Sequence, residues 1–578
     1  MKLVAELELR LAVSPLTRRR LTALVAVSSS LIAFAVLILL PTIYLVSFIF
    51  TNFPRIYSEI FAHEIVGLEN WIQIKRVLFL SLRVSSLTVA LDLLFGIPLA
   101  YILAKKRFPG RALLEDVVTF PLVLPTSAFG FATLMAWTTI TGLGGFLGLG
   151  RGLIDVTLRI PFLRVPVLIL MVHVALTLPY VALTLRAKIM EVEPMYEEAS
   201  RTLGAPPLTT FRRVLLPMIT PGVLSGAVLA FARSLGETGA TLVVSGVYST
   251  ASIAVVRWVY EFKFAEAAFL GGLLIAMAWG IIIPVEAIVG RPAGLPMFRP
   301  GKLEVKTHGG LVRFEKFASR RLLPLREIAV SAVIGLTIIL PVLTVLNALI
   351  PYWSADPYTG RVEGGILYQL FGPPNYFREV ARATLTSFTV AGVSTYVSAC
   401  LAVPLTYLIA RNPLGGVIRS LLKIPLVVPT SALGLSMLLL WGPSGLNMVK
   451  PGVWLIILTH IVFSVPVIVE PTLAAYERSQ IILLEEAART MGATPYDVLE
   501  TVSLPLLKRG ILAGSILSFT HSLGETGATF IVMGRDITVP TLVVNMVESL
   551  AIPAALFTST YLIILSMAML LAFKFISG

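Results

Sequence analysis

Cysteine is almost missing from this chain. Cys400, inside an apolar run, is the one thiol in 578 residues. That excludes an intrachain disulfide and leaves no thiolate cluster for a metal. Charge is scarce as well: 13% of residues are Asp, Glu, Lys or Arg, about half the share of a soluble domain. Water is therefore a poor candidate for the main solvent. There is no Gly-x-x-x-x-Gly-Lys-Ser/Thr loop, so nothing visible would cradle nucleotide phosphates. No Ser-His-Asp or Cys-His arrangement has local support, and nucleic-acid-binding modules are missing despite a net charge of +14. Asp92, His173 and His460 do not fall at metal-ligand spacing. The expectation is no catalytic residue, no metal and no cofactor in this chain. Each of those three polar residues either lines a path or is a satisfied packing residue.

What the chain does have is apolar sequence, 56% of all residues. Apolar segments recur at about 21–50, 78–104, 113–140, 163–187, 219–247 and 264–289. A second set lies at about 327–351, 384–410, 418–441, 452–475, 509–534 and 552–576. A run of ~20 apolar residues crosses the hydrocarbon layer as a helix. The predicted fold is an all-α integral membrane protein with about twelve transmembrane helices, six per half. The first run is too long for a signal peptide and reads as a retained span.

Basic residues fix the orientation. They precede the first run (Arg18, Arg19, Arg20) and follow the second (Lys105, Lys106, Arg107, Arg111). They recur after the fourth (Arg186, Lys188, Arg201, Arg212, Arg213) and between the halves (Arg291, Arg299, Lys302, Lys306, Arg313, Lys316, Arg320, Arg321). The second half repeats the pattern with Arg411, Arg419, Lys423, Arg489, Lys508 and Arg509. All these loops lie on one side of a twelve-span arrangement. The positive-inside bias makes that side cytoplasmic, with both termini inside a multi-pass protein of the cell membrane.

The halves are a repeat. Residues 197–246 and 485–534 align without a gap, about half of the positions being identical. Gly204 matches Gly492, Pro217 matches Pro505 and Glu237 matches Glu525, always at the same separation. FPLVLPTSAFG from Phe120 is echoed by IPLVVPTSALG from Ile424. The expected organisation is a first six-span unit over 1–290, a basic cytoplasmic linker over 291–325, and a second unit over 326–578. The two units share one orientation, so an axis along the membrane normal relates them and a pathway runs between them.

Two motifs carry function. The first is the cytoplasmic loop after the fourth span, about 190–217, and its copy at about 478–505. It reads Glu198, Ala199, Ser200, three residues, Gly204, nine residues, Val214-Leu215-Leu216-Pro217. The copy has Glu486, Ala487, Ala488, Gly492 and Val502-Ser503-Leu504-Pro505. Glycine in a left-handed conformation would end a short helix there, and Pro207 and Pro495 discourage its immediate continuation. The pattern resembles the EAA loop of permease subunits of binding-protein-dependent ABC importers, with Val replacing the family's Ile in both copies. The resemblance implies that Glu198, Ala199, Gly204 and Pro217, with Glu486, Ala487, Gly492 and Pro505, form two coupling elements. It also implies partners: two ABC ATPase subunits that bind ATP and Mg at the cytoplasmic face, and an extracytoplasmic solute-binding protein. An ion-coupled secondary transporter would share the hydropathy but has no reason to carry two such loops.

The second motif is Ser234-Leu-Gly-Glu-Thr-Gly-Ala-Thr241, repeated at Ser522–Thr529 within the fifth span of each half. Carboxylates in a span face the protein interior or a watery cavity. Arg233 precedes Glu237 by four residues, and His521 precedes Glu525 likewise, so each pair is placed on one helical face. Arg233, Glu237, Thr238, His521, Glu525 and Thr526 are candidate translocation or gate residues; the alternative is a pair of packing contacts, with Gly236 and Gly239 allowing close helix approach. FARSLGETGAT resembles the molybdate, tungstate and sulfate permeases, although Thr238 and Thr526 stand where an aromatic is usual. The fusion of two units is more typical of ferric-iron and thiamine permeases, and polyamine permeases belong to the same broad group. Arg233 suits an oxyanion; Glu237 would repel one unless it is paired.

Overall fold

A computed structural model describes residues 28–62, 64–289 and 308–577. Arg18 to Arg20, and Arg291, Arg299, Lys302 and Lys306 of the linker, lie outside the described residues. Each half contributes ten principal helices in the same order. In the first half these are α1 (Ser28–Thr51), α2 (Val66–Lys105), α3 (Arg111–Leu122), α4 (Thr126–Thr138), α5 (Val167–Glu191), α6 (Pro194–Thr202), α7 (Pro207–Gly236), α8 (Gly239–Val244), α9 (Ala251–Tyr260) and α10 (Phe264–Val289). The second half has α11 (His308–Ile334, continuing to Tyr352), α12 (Tyr376–Arg411), α13 (Gly415–Val427), α14 (Thr430–Trp441), α15 (Val453–Arg478), α16 (Ile481–Thr490), α17 (Tyr496–Gly524), α18 (Gly527–Val532), α19 (Val539–Glu548) and α20 (Ile552–Ser577). Among the described residues, ten helices are long and apolar enough to span a bilayer, and two bent pairs bring the number to twelve. A two-stranded hairpin, β1 (Arg159–Ile160) with β2 (Val165–Pro166), sits between α4 and α5.

Three features depart from uninterrupted spans. The third apolar run of each half is a bent pair: α3 and α4 meet at 109°, and α13 and α14 at 102°. Pro125 and Pro429 stand at the bends, where a proline disfavours the helical conformation of the residue before it. The fifth run, expected to continue over 219–247, stops at Gly236 and resumes at Gly239; its copy stops at Gly524 and resumes at Gly527. Finally, the stretch expected as linker is helical from His308 and runs on into the next span.

Prolines mark four of the five π turns among the described residues. Single π turns precede Pro41, Pro217, Pro341 and Pro505, where the missing N–H interrupts the ladder.

The most enclosed spans are α5 and α15, each 72% buried, against 28% for α1, so they form the centre of each half. The halves also exchange arms. α1 and α10 pack on α14, and the Leu340–Tyr352 part of α11 packs with α20 on α4. Cys400 is exposed on α12.

Candidate functional site

The two motifs singled out from sequence occupy different places: one at the face where α6 and α16 project, the other between the halves. α6 and α16 end as the spacing predicts, in left-handed glycines, with φ of +83° at Gly204 and +91° at Gly492. The N–H of Gly204 donates to the Arg201 carbonyl at 2.9 Å and that of Ala205 to Ser200 at 3.2 Å; Gly492 and Ala493 do the same to Arg489 and Ala488 at 3.0 and 3.1 Å. Each closure satisfies helix-end carbonyls. The next helix opens on Pro207 or Pro495, where proline's missing N–H would have been unsatisfied in any case. Pro217 and Pro505 lie further on, just past the π turns of α7 and α17.

Glu198, Ala199, Glu486 and Ala487 are exposed, so they are open to a partner rather than engaged within the chain. The residues that fix the elements are their neighbours, which sequence reasoning passed over. Glu197 is buried and lies 2.9 Å from Lys105 Nζ, the last residue of α2. Glu485 is buried and pairs with Arg411, the last residue of α12; Ser503 Oγ donates to it at 2.5 Å and Tyr407 at 3.3 Å. Both acids were legible as one doubled Glu-Glu in each repeat. Which of the two faces inward depends on where α2 and α12 end. At the tips, Leu203 and Met491 are 88% and 82% exposed.

Between the halves, the break in α7–α8 and its copy form a seal. Glu237 has an extended backbone, ψ 123°, and so does Glu525 at 128°. Arg233 and Glu237 pair at 2.9 Å, as their four-residue spacing predicts, with Glu237 the residue that closes α7. The other oxygen of Glu237 accepts the Ala240 N–H at 3.1 Å, at the start of α8. One carboxylate thus ties both sides of the break and meets the positive end of the short helix. Glu525 accepts the Ala528 N–H at 3.1 Å, while His521 stands off at 3.9 Å. The repulsion that Glu237 would exert on an anion is offset by Arg233.

The histidines brace the same break. His173 Nδ1 is 2.8 Å from Ser234 Oγ before it and Nε2 is 2.9 Å from Thr241 Oγ1 after it. His460 repeats this with Ser522 at 2.6 Å and Thr529 at 2.9 Å. Both rings are buried and satisfied on both nitrogens, so their place is in packing. They were missed as a brace because His460 is one residue out of register with the gapless repeat. Asp92 is fully buried and accepts the Thr177 hydroxyl at 2.5 Å.

The seal itself is made of small residues from both halves. A Cβ on Gly239 would lie 2.6 Å from Thr526 Oγ1, and one on Gly527 2.8 Å from the Thr238 Cβ. One on Gly236 would lie 3.0 Å from Pro429 Cα, and one on Gly524 3.1 Å from Pro125 Cα. The Pro-Thr-Ser echo and the Gly-Glu-Thr-Gly repeat, far apart in sequence, therefore close on each other across the interface. Thr238 and Thr526 are each 1% exposed. On the α6–α16 side of the seal lies a cavity of about 20 Å³ lined by Tyr180 and Arg233 of one half and Thr520, His521 and Glu525 of the other. That is room for about one water, and the passage is shut. No group of His, Cys, Asp or Glu among the described residues has the arrangement of a metal site.

Residues 96–290 match the family described as binding-protein-dependent transport system inner membrane component. A sulfate transport system permease protein of Salmonella typhimurium is 30% identical over 201 residues, 34% of this chain and 70% of the relative. A molybdate/tungstate transport system permease protein of Pyrococcus abyssi is 28% identical over 211 residues, 36% of this chain and 77% of the relative. A molybdenum transport system permease protein of Mycobacterium bovis is 41% identical over 172 residues, 29% of this chain and 61% of the relative. This chain is about twice the length of these relatives.

Proposed function

The chain belongs to the family of binding-protein-dependent inner-membrane transport components, and from that premise we propose that it is a fused two-unit permease conducting an oxyanion of the sulfate, molybdate or tungstate class. As a transport subunit it carries no catalytic residue. ATP and Mg are bound by separate partner ATPases, two of them, one for each of α6 and α16, and a solute-binding protein delivers the anion at the other face. The cell membrane holds the chain with α6, α16 and both termini cytoplasmic.

One observation carries this reading. Two equivalent elements project from one face, each anchored through a buried glutamate to the end of a long span and each tipped by an exposed apolar residue. Exposed apolar residues gather on both elements, Met195 and Tyr196 on α6 and Ile482 and Leu483 on α16 beside the tips, and such a patch fits a partner's groove. Motion imposed on α6 passes through the Glu197–Lys105 pair to α2, and motion on α16 through Glu485–Arg411 to α12. The seal at Thr238 and Thr526 would open as the halves move apart, uncovering Arg233 on one wall and His521 on the other. The sulfate and molybdate relatives, together with a carboxylate neutralised by Arg233, favour an anion over ferric iron, thiamine or polyamine.

The test is reconstitution in proteoliposomes with the partner ATPase and binding protein. ATP-dependent uptake of labelled sulfate or molybdate is expected, and Gly204→Val with Gly492→Val should abolish uptake and its stimulation of ATP hydrolysis. Uptake driven by an ion gradient without any ATPase would overturn the importer reading, and ATP-driven uptake of thiamine or iron alone would overturn the substrate.

A further inference from the structure

A cavity of about 600 Å³ lies in the first half, away from the seal, and five arginines line it: Arg76, Arg83, Arg159, Arg164 and Arg257. They come from three elements. Arg76 and Arg83 are on α2, Arg159 and Arg164 on or beside the β1–β2 hairpin, and Arg257 on α9. α2 has 40 residues, about 60 Å of helix at ~1.5 Å per residue, twice the ~30 Å hydrocarbon layer. Arg76 and Arg83 stand roughly 30–45 Å from its Lys105 end. The cavity therefore sits at the face opposite α6 and α16.

The charge is not compensated. Among the described residues no carboxylate lies within ion-pair distance of any of the five. The acid on the cavity wall, Glu261, is 2.8 Å from Lys263, and that hydrogen bond holds the Lys263 ammonium above its ordinary value. Arg159 is positioned by stacking, its guanidinium 4.9 Å from the Tyr248 ring. The Tyr248 hydroxyl is fixed in turn by donating to the Thr157 carbonyl at 2.8 Å.

The second half shows that the fold does not require this. At the repeat-matched positions Asn545 replaces Arg257, Asp536 replaces Tyr248 and Ser549 replaces Glu261. The stretch between α14 and α15 is a short turn with no hairpin. Five like charges gathered on one concavity repel each other, and an arrangement that the equivalent half lacks has a local reason. α9, which carries Arg257, packs on α14 and α18 of the other half, and Tyr260 donates to the Phe530 carbonyl at 2.9 Å. The cavity is thus one helix away from the interface between the halves.

We infer that this arginine basin is a binding site for a free tetrahedral oxyanion at the outer mouth, where guanidinium groups from three elements receive the dianion before it passes between the halves. The inference rests on the reading of the chain as an oxyanion permease. Guanidinium forks match the oxygens of such ions, and a concave cationic surface raises their local concentration.

The experiment uses the full chain in nanodiscs of phosphatidylcholine, with no ATPase and no binding protein, titrated with labelled sulfate at low ionic strength. Saturable binding is expected. Arg159→Gln with Arg164→Gln and Arg257→Gln should weaken it about tenfold or more, and Arg361→Gln, at an exposed arginine of the second half, should leave it within about twofold. Thermal unfolding of each variant shows whether it folds. A single Tyr248→Leu, which removes the stacking surface and keeps every charge, should weaken binding about threefold. No saturable binding, or equal binding by the folded triple variant, overturns the inference. So does a requirement for anionic lipid, which would make the basin a headgroup site. Loss of binding-protein-dependent uptake in the triple variant without any direct sulfate binding by the parent would make it a docking pocket for an acidic partner, and also overturns the inference. Sulfate binding in the basin of an importer that moves another solute would leave the basin standing and sink the function instead.

Discussion

The inner and outer regions of the molecule treat the repeat differently. At the break the two halves are matched almost bond for bond: His173 and His460 hold equivalent hydroxyls, and Glu237 and Glu525 cap equivalent short helices. At the outer rim they have parted. One half carries the hairpin and five arginines. The other carries a longer approach to α12, in which Tyr358 accepts the Ile140 N–H of the first half at 2.8 Å. Symmetry persists where two halves must meet each other, because a change in one alone leaves a mismatch in the seal. It lapses away from the seal, where the hairpin and the approach to α12 have no matched counterpart to meet.

The largest departure from symmetry within the seal is the cation, and it gives the strongest test. Glu237→Gln removes the partner of Arg233 and should lower stability by roughly 3 kcal/mol. Glu525→Gln, whose histidine stands off at 3.9 Å, should lower it by about 1 kcal/mol. Thermal unfolding in detergent reads the difference, and His521→Arg should narrow it. Both glutamine variants should lose transport more than membrane insertion; equal loss of the two would assign these residues to packing alone.

Next comes the small-residue contact. A Cβ at Gly130 would lie 2.7 Å from Ala240 Cα, and one at Gly434 2.9 Å from Ala528 Cα. Gly130→Val and Gly434→Val should each destabilise by roughly 1–3 kcal/mol through overpacking. Equal falls in unfolding temperature support equivalence, and tolerance in one half breaks it.

Smaller effects belong to the face where α6 and α16 project. Glu485 has Arg411, Ser503 and Tyr407 around it, whereas Glu197 relies on Lys105. Glu485→Gln should therefore raise the ATP hydrolysed per anion transported more than Glu197→Gln does, about threefold against less than twofold, each worth under about 1 kcal/mol of coupling. The smallest change is Arg257→Asn, which makes the rim match the second half. Stability should move by less than about 0.5 kcal/mol, with the effect confined to sulfate binding at low salt.

Much of this was legible in the sequence. Hydropathy located the spans, and the doubled loop spacing predicted left-handed Gly204 and Gly492. Three things were not legible, for physical reasons. Hydropathy cannot see a break whose polar groups are satisfied internally, so the apolar run over 219–247 looked continuous. The two glycines flanking Glu237 and Thr238, poor helix formers, were the available signal. Distant motifs cannot announce that they touch, so Pro125 and Gly524 were unconnected until the fold joined them. And of two adjacent glutamates, only the position of Lys105 or Arg411 decides which one turns inward.

The exchanged arms have a consequence for stoichiometry. Two copies of a single chain, related by symmetry, would carry every substitution twice. Here the halves are one polypeptide, each clasping the bent span of the other, so every chain holds one of each. A feature can then exist in odd number, such as a single hairpin or a single arginine-lined hollow. Covalent joining makes handedness about the central axis heritable, and a partner arriving from outside meets a molecule with a distinguishable left and right.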